Sequence, residues 1–172
     1  MLRAIQIERF RWRMPSEREV RLLLHDDVSP GHVWYEGNYL LVRILVADDN
    51  PMVRHYLRQV LEQRGTWRVC DEARTGGEVL PKVQRTLPDV ILLDFQMPEL
   101  NGLEVAKQIS RLFPKIPILM ITLHFSKQLA EAARDVGIRG ACAKTDVRSI
   151  MAGVEALLHQ ESYFPAIQTN IA

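Results

Sequence analysis

The chain has 172 residues, with 22 Lys+Arg against 21 Asp+Glu, a net charge of +1, 47% apolar residues and 25% charged ones. That is the composition of one ordinary folded domain, and it excludes collagen-like, disordered and disulfide-stapled classes. So small a net charge offers no global attraction to nucleic acid or anionic lipid, so any phosphate chemistry must be local.

Residues 1–40 carry six Arg, six acidic residues and two Trp, with no clean hydrophobic period. A turn is expected at Ser29-Pro30-Gly31. A short helix is expected over 16–24, with Ser16 as N-cap and Glu19 closing a capping box. The segment reads as an N-terminal extension. Its aromatic residues Phe10, Trp12, Trp34 and Tyr35 suit a partner-binding or dimerising arm; the alternative is a disordered stretch or a mis-assigned start, the native one lying near Leu41. Charges and Gln break its apolar stretches too often for a secretion signal, and no run in the chain reaches membrane-spanning length. A reducing cytoplasm is the expected compartment. There Cys70 and Cys142, which lack metal-site spacing, are expected to be buried free thiols.

A regular alternation begins at Val42. The run Val42-Arg43-Ile44-Leu45-Val46-Ala47 reads as a strand, followed by Asp48-Asp49 and then by Asn50 as N-cap and Pro51 as first helical residue. Val53, Tyr56, Leu57, Val60 and Leu61 recur at helical period and are expected to face inward; Arg64-Gly65 ends that helix. The second unit is a strand from Trp67 to Glu72 and a helix near Gly77 to Gln84. The third is a strand from Asp89 to Asp94, a loop through Pro98 and Gly102, and a helix with Val105, Ala106, Ile109, Leu112 and Phe113 inward. The fourth pairs a strand from Ile118 to Thr122 with a helix near Lys127 to Val136. The fifth pairs a strand near Gly140 to Lys144 with a helix striped by Val147, Ile150, Met151, Val154, Leu157 and Leu158. Five strands apolar on both faces and separated by helices predict a parallel α/β sheet with right-handed crossovers, open and doubly wound because eight units would be needed to close a barrel.

In open α/β sheets, ligands bind beyond the carboxyl ends of the strands, where the strand order reverses. Here those ends are polar: Asp48 and Asp49 after the first strand, Asp94 on the third, Thr122 on the fourth, Lys144 on the fifth. If the order is 2-1-3-4-5, the three carboxylates converge, and a hard divalent ion such as Mg²⁺ relieves their repulsion. Acidic helix caps at strand ends account for single residues of this set, but not for Thr122 and Lys144 as well. A carboxylate beside a cation, a hydroxyl and an ammonium is the equipment for transient phosphorylation, with Asp94 as nucleophile.

The stretches ILVADDNPMVR, PDVILLDFQMPELNGLEV, ILMITLH and GIRGACAKTD occur in that order across residues 42–163. In them the chain resembles the receiver domain of bacterial two-component response regulators, closest to the LuxR/FixJ-type group. The resemblance implies a flavodoxin-like (βα)5 fold with strand order 2-1-3-4-5 over residues 41–163, and a short tail over 164–172. It implies Asp94 as phosphoacceptor, Asp48 and Asp49 as the metal-binding acidic pair, the Gln96 carbonyl as a further Mg²⁺ ligand, Thr122 as switch hydroxyl and Lys144 as phosphate-binding lysine. It further implies phosphorylation by a sensor histidine kinase or phosphotransfer protein, and signalling to a downstream protein, with a homodimer as one form this takes.

Two departures stand out. Ala141 occupies the place, three residues before Lys144, where the family usually has a Tyr or Phe that moves with the Thr. This either uncouples the usual readout or only tightens packing. After the last helix, about a dozen residues follow without Lys or Arg, where LuxR-type relatives carry a helix-turn-helix, so no direct DNA binding is expected from this chain. A stand-alone receiver, a truncated regulator and a phosphorylation-independent adaptor all remain open, with protein contacts as the output. A hydrolase working through an aspartyl phosphate would normally place an acid two residues after the nucleophile, and Gln96 stands there. His124 either borders the phosphate site or sits on a loop surface; His55 and His159 are expected to be solvated.

Overall fold

The computed structural model describes residues 41–166. Five strands and five helices alternate there: β1 (Val42–Ala47), α1 (Pro51–Glu62), β2 (Trp67–Ala73), α2 (Gly76–Thr86), β3 (Val90–Asp94), α3 (Gly102–Leu112), β4 (Ile118–Thr122), α4 (Lys127–Asp135), β5 (Gly140–Ala143) and α5 (Val147–Leu158). The strands form one parallel sheet in the order β2-β1-β3-β4-β5. The helix and turn expected before residue 41 lie outside the described residues.

Period-two alternation splits the strand side chains between two cores. Leu45, Ile91, Leu93, Met120 and Ala141 pack with α2, α3 and α4. Ile44, Val46, Leu92, Ile121 and Cys142 face the other way, toward Leu57 and Leu61 of α1 and Ile150, Val154 and Leu157 of α5. All five residues of β3 are buried, as the central strand of a doubly covered sheet requires. The helix starts follow from their caps. Asn50 accepts from the Met52 and Val53 N–H groups, Asn101 and Glu104 form a capping box, and Ser126 and Asp146 cap α4 and α5.

Two residues expected inside are outside. Tyr56 is 50% exposed because α1 turns Arg54, Leu57 and Leu61 inward at i, i+3, i+7, and Arg54 takes the place that an apolar side chain was expected to fill. Leu112 is 55% exposed. There the chain leaves helical geometry at Phe113, whose ring packs against the core in its stead. The thiols also differ. Cys142 is buried, and burial pushes its thiol up to about 12; Cys70 is half-buried, at the point where the β1–β2 register slips between Val69 and Asp71.

Candidate functional site

Order reversal between β1 and β3 brings their carboxyl ends side by side. Asp48 and Asp49 directly follow β1, and Asp94 ends β3. Their carboxylate oxygens lie within 4.8 Å of one another. Asp48 and Asp94 are buried, whereas Asp49 is exposed. Lys144, the residue after β5, reaches across so that Nζ stands 2.7 Å from Asp48 Oδ2 and 2.8 Å from Asp94 Oδ2. Toward Asp94 the ammonium donates a hydrogen bond. Toward Asp48 it makes a close ion pair rather than an aligned hydrogen bond.

The charges here are held against their own desolvation. Burial raises the Asp94 carboxyl above its ordinary value, opposed by the Lys144 ammonium and the Gln96 backbone N–H, while the Asp48 charge pushes the same way as burial. For Lys144, burial works to lower the amine, but the two carboxylates more than offset it and the net shift is upward. The ammonium therefore stays charged as long as its partners do.

The acidic loop is anchored from below by Arg54, a residue the motif reading passed over. Its Nη1 donates to the carbonyls of Asp48 at 2.8 Å and Asp49 at 3.2 Å, and its Nε donates to Glu72 at 3.0 Å. Arg58 forks onto the same Glu72 carboxylate at 2.9 and 2.8 Å. The signal available in the sequence was position: an arginine three residues before Leu57 and seven before Leu61 lies on the buried face, where a guanidinium needs fixed partners. Asn50 adds a bond from its backbone N–H to Asp48 Oδ1 at 2.9 Å. On the other side, α3 begins so close to the end of β3 that a Cβ at Gly102 would stand 2.6 Å from the Asp94 carbonyl oxygen, so only glycine fits there.

Thr122 ends β4 one residue beyond Ile121, the register partner of Asp94, and is buried. Its Oγ1 accepts from the His124 N–H at 3.2 Å, leaving the hydroxyl proton available for donation. Gln96 is exposed, lining with Asp49, Phe95, Met97, Pro98 and Asn101 a shallow cleft of about 360 Å³ beside the carboxylates. His124, His55 and His159 are exposed. Ala141 is fully buried, in the cluster against which Phe125 and Phe164 pack. Lys144 thus joins Asp48 and Asp94 directly, Thr122 stands on the neighbouring strand end, and Gln96 sits at the cleft. An all-oxygen set of this kind suits a hard divalent cation.

The sequence model of the response regulator receiver domain matches residues 44–155. The chain belongs to that family. Receivers of LuxR-type and NarL-type regulators are similar to it in structure. A LuxR-family two-component response regulator from Aurantimonas is 28% identical, with a TM-score of 0.69 over 72% of this chain and 89% of that one. The signal receiver domain of the NarL response regulator from Mycobacterium tuberculosis is 30% identical, with a TM-score of 0.65 over 69% of this chain and 97% of that one. Among curated proteins, a protein-glutamate methylesterase/protein-glutamine glutaminase from Treponema denticola is 32% identical over 101 residues, 59% of this chain and 27% of its own length. The chain spans about a quarter of the methylesterase relatives it matches, so the likeness concerns their receiver part. The flavodoxin-like fold with strand order 2-1-3-4-5 is that of the family. Among the described residues, no helix is long and apolar enough to cross a membrane.

Proposed function

We propose that this receiver takes a phosphoryl group on Asp94 with Mg²⁺ held by Asp48, Asp49, Asp94 and the Gln96 carbonyl. The supporting observation is the convergence of three carboxylates whose oxygens lie within 4.8 Å of one another, two of them buried. The Lys144 ammonium supplies one positive charge against three carboxylates, and a divalent cation would offset the remaining repulsion. The bound ion would supply charge neutralisation for the phosphoryl oxygens.

The donor is a phosphohistidine on a sensor kinase or phosphotransfer protein. An Asp94 Oδ attacks phosphorus, the P–N bond breaks with its electron pair left on the imidazole nitrogen, and a P–O bond forms to the carboxylate. Lys144, already hydrogen-bonded to Asp94 Oδ2, stays beside the new phosphoryl oxygens, and the Thr122 hydroxyl turns its free proton toward them. Gln96 occupies the position where a hydrolase would carry an acid, and an amide offers no acid/base proton. The site therefore holds the phosphoryl group rather than discharging it rapidly. Signalling follows through contacts with a downstream protein.

Titration of the full chain with beryllofluoride, with and without Mg²⁺, followed by amide NMR, tests this reading. The expected result is Mg²⁺-dependent shifts at Thr122 and Lys144 that vanish in Asp94→Ala. A wild-type chain that shows no shift at any concentration overturns the phosphoacceptor reading and favours a constitutive adaptor.

A further inference from the structure

The segment after α5 does not leave the domain. Tyr163 forms a parallel bridge with Gly140 on the outer edge of β5. Its N–H donates to the Arg139 carbonyl, and its carbonyl accepts from the Ala141 N–H, both at 2.9 Å. The next two side chains then go to opposite faces, as in a strand. The Tyr163 ring packs on the α1/α5 side, with its hydroxyl 2.9 Å from Ser149 Oγ. The Phe164 ring packs on the α4 side, under the Arg134 guanidinium at 3.8 Å.

The seat is written into the helix it rests on. Gly153 lies in the middle of α5, where glycine is the least favourable residue after proline. A Cβ there would stand 3.0 Å from Tyr163 Cδ1 and 2.9 Å from Leu119 Cδ2, so the ring packs directly onto the glycine and a larger residue would push it and Leu119 back. Alongside Phe164 and Pro165, a groove of about 630 Å³ runs along Phe125, Ala130 and Arg134.

Both routes out of the site therefore end at this segment. From Thr122 the chain passes through His124 and Phe125 into α4, which holds Phe164 through Arg134. From Lys144 one route runs back along β5, which holds the backbone of Tyr163, and another forward into α5, which holds its hydroxyl. The carboxyl ends of the two strands move together, since the Lys144 N–H donates to the Thr122 carbonyl at 2.7 Å.

We propose that residues 161–165 form a strap whose docking is coupled to the state of Asp94, and that phosphorylation releases it. The proposal rests on the phosphoacceptor reading above. When the Thr122 hydroxyl rotates to meet a phosphoryl oxygen, the bond that Oγ1 accepts from the His124 N–H is lost, and the loop carrying Phe125 shifts. Helix α4 is lightly anchored and follows, since the residues it buries are two alanines, with Leu129 partly buried beside them. Arg134 then withdraws from Phe164, the strap loosens, and the edge of β5 and the α4 face become available to a partner. Linkage makes the coupling reciprocal: a weakened strap must strengthen binding at Asp94.

The test measures amide hydrogen exchange and beryllofluoride affinity on the full chain with Mg²⁺. Beryllofluoride is expected to speed exchange at the Ala141 amide, which the strap protects, by about fivefold or more. Phe164→Ala and the surface variant Arg134→Ala, which cannot unfold the core, are each expected to bind beryllofluoride about fivefold more tightly than wild type. Binding with unchanged Ala141 exchange, or with unchanged or weaker affinity in both variants, overturns the strap alone. No binding by the wild type, seen as no shift at Thr122 or Lys144, overturns the phosphoacceptor reading and the strap with it.

Discussion

The two flanks of the site are built differently. On the β1–β3 side, the carboxylates stand on long-range charged bonds: Arg54 ties the Asp48 and Asp49 carbonyls to Glu72, and Arg58 locks Glu72 from a second helical turn. Helix α1 buries Leu57 and Leu61 beneath this network. On the β4–β5 side, Thr122 ends a strand of five residues and Lys144 follows one of four, and the helix between them buries Ala130 and Ala133, with Leu129 partly buried against the core. An alanine contributes less apolar area than a leucine, so α4 is held to the sheet less firmly than α1. One flank is a fixed socket for charge, and the other is cheap to move. A site that must bind a phosphoryl group and report it needs both properties, in different places.

The contrast is open to direct attack. Replacing Arg54 by Met keeps the buried stem but removes the donors, leaving two carbonyls and the Glu72 carboxylate without their guanidinium. The expected loss is about 3 kcal/mol in urea unfolding, together with weaker Mg²⁺ stabilisation of the fold. Arg54→Lys is expected to recover only part, because an ammonium cannot span both carbonyls and Glu72 at once. A loss no greater than that of an ordinary surface arginine would mean that the socket is held by something else.

Hydrogen exchange compares the flanks without mutation. Amides of α4 are expected to exchange at least about tenfold faster than those in the middle of α1, corresponding to about 1.4 kcal/mol less local stability. Equal protection would remove the mechanical difference between the two sides.

The smallest expected effect is on pH dependence. Burial works to raise the Glu72 carboxyl, but the bonds from Arg58 and Arg54 outweigh it and hold the group below the ordinary carboxylate value. A folded-state pKa below the unfolded one means that the stabilisation is complete above the unfolded value near ~4.3 and is lost as pH falls through the folded one. The unfolding free energy of the wild type is therefore expected to fall by about 1 kcal/mol more than that of Glu72→Gln between neutral pH and that acid range, as read from urea denaturation. Parallel curves for the two proteins would show that Glu72 carries no such charge coupling.

How much of this was legible before folding depends on the kind of signal. The five βα units stood out because strands such as Val42–Ala47, Val90–Asp94 and Ile118–Thr122 are short apolar runs set between helical stripes, and the Asn50-Pro51 cap acts within three residues of itself. The chemistry at Asp48, Asp49, Asp94, Thr122 and Lys144 was legible because strand ends in a parallel sheet all point to one edge. Arg54 was not, since its meaning comes from Glu72, 18 residues away on another element. Tyr56 and Leu112 were misplaced because periodicity tells which residues share a helical face, not which one the sheet covers. Tyr163 and Phe164, in a tail without period, gave no sign of pairing with β5.

Local chemistry thus sufficed for the element order, the Asn50 cap of the first helix and the polar strand ends, because each depends on neighbours close in the chain. The strand order followed from the resemblance rather than from any local pattern, whereas the 4.8 Å meeting of three carboxylates, the span of Lys144 across two of them and the docking of the last segment were decided only by the tertiary structure. These depend on contacts between elements tens of residues apart, whose geometry is set by how the sheet twists and how two cores fill, and no stretch of sequence carries that by itself.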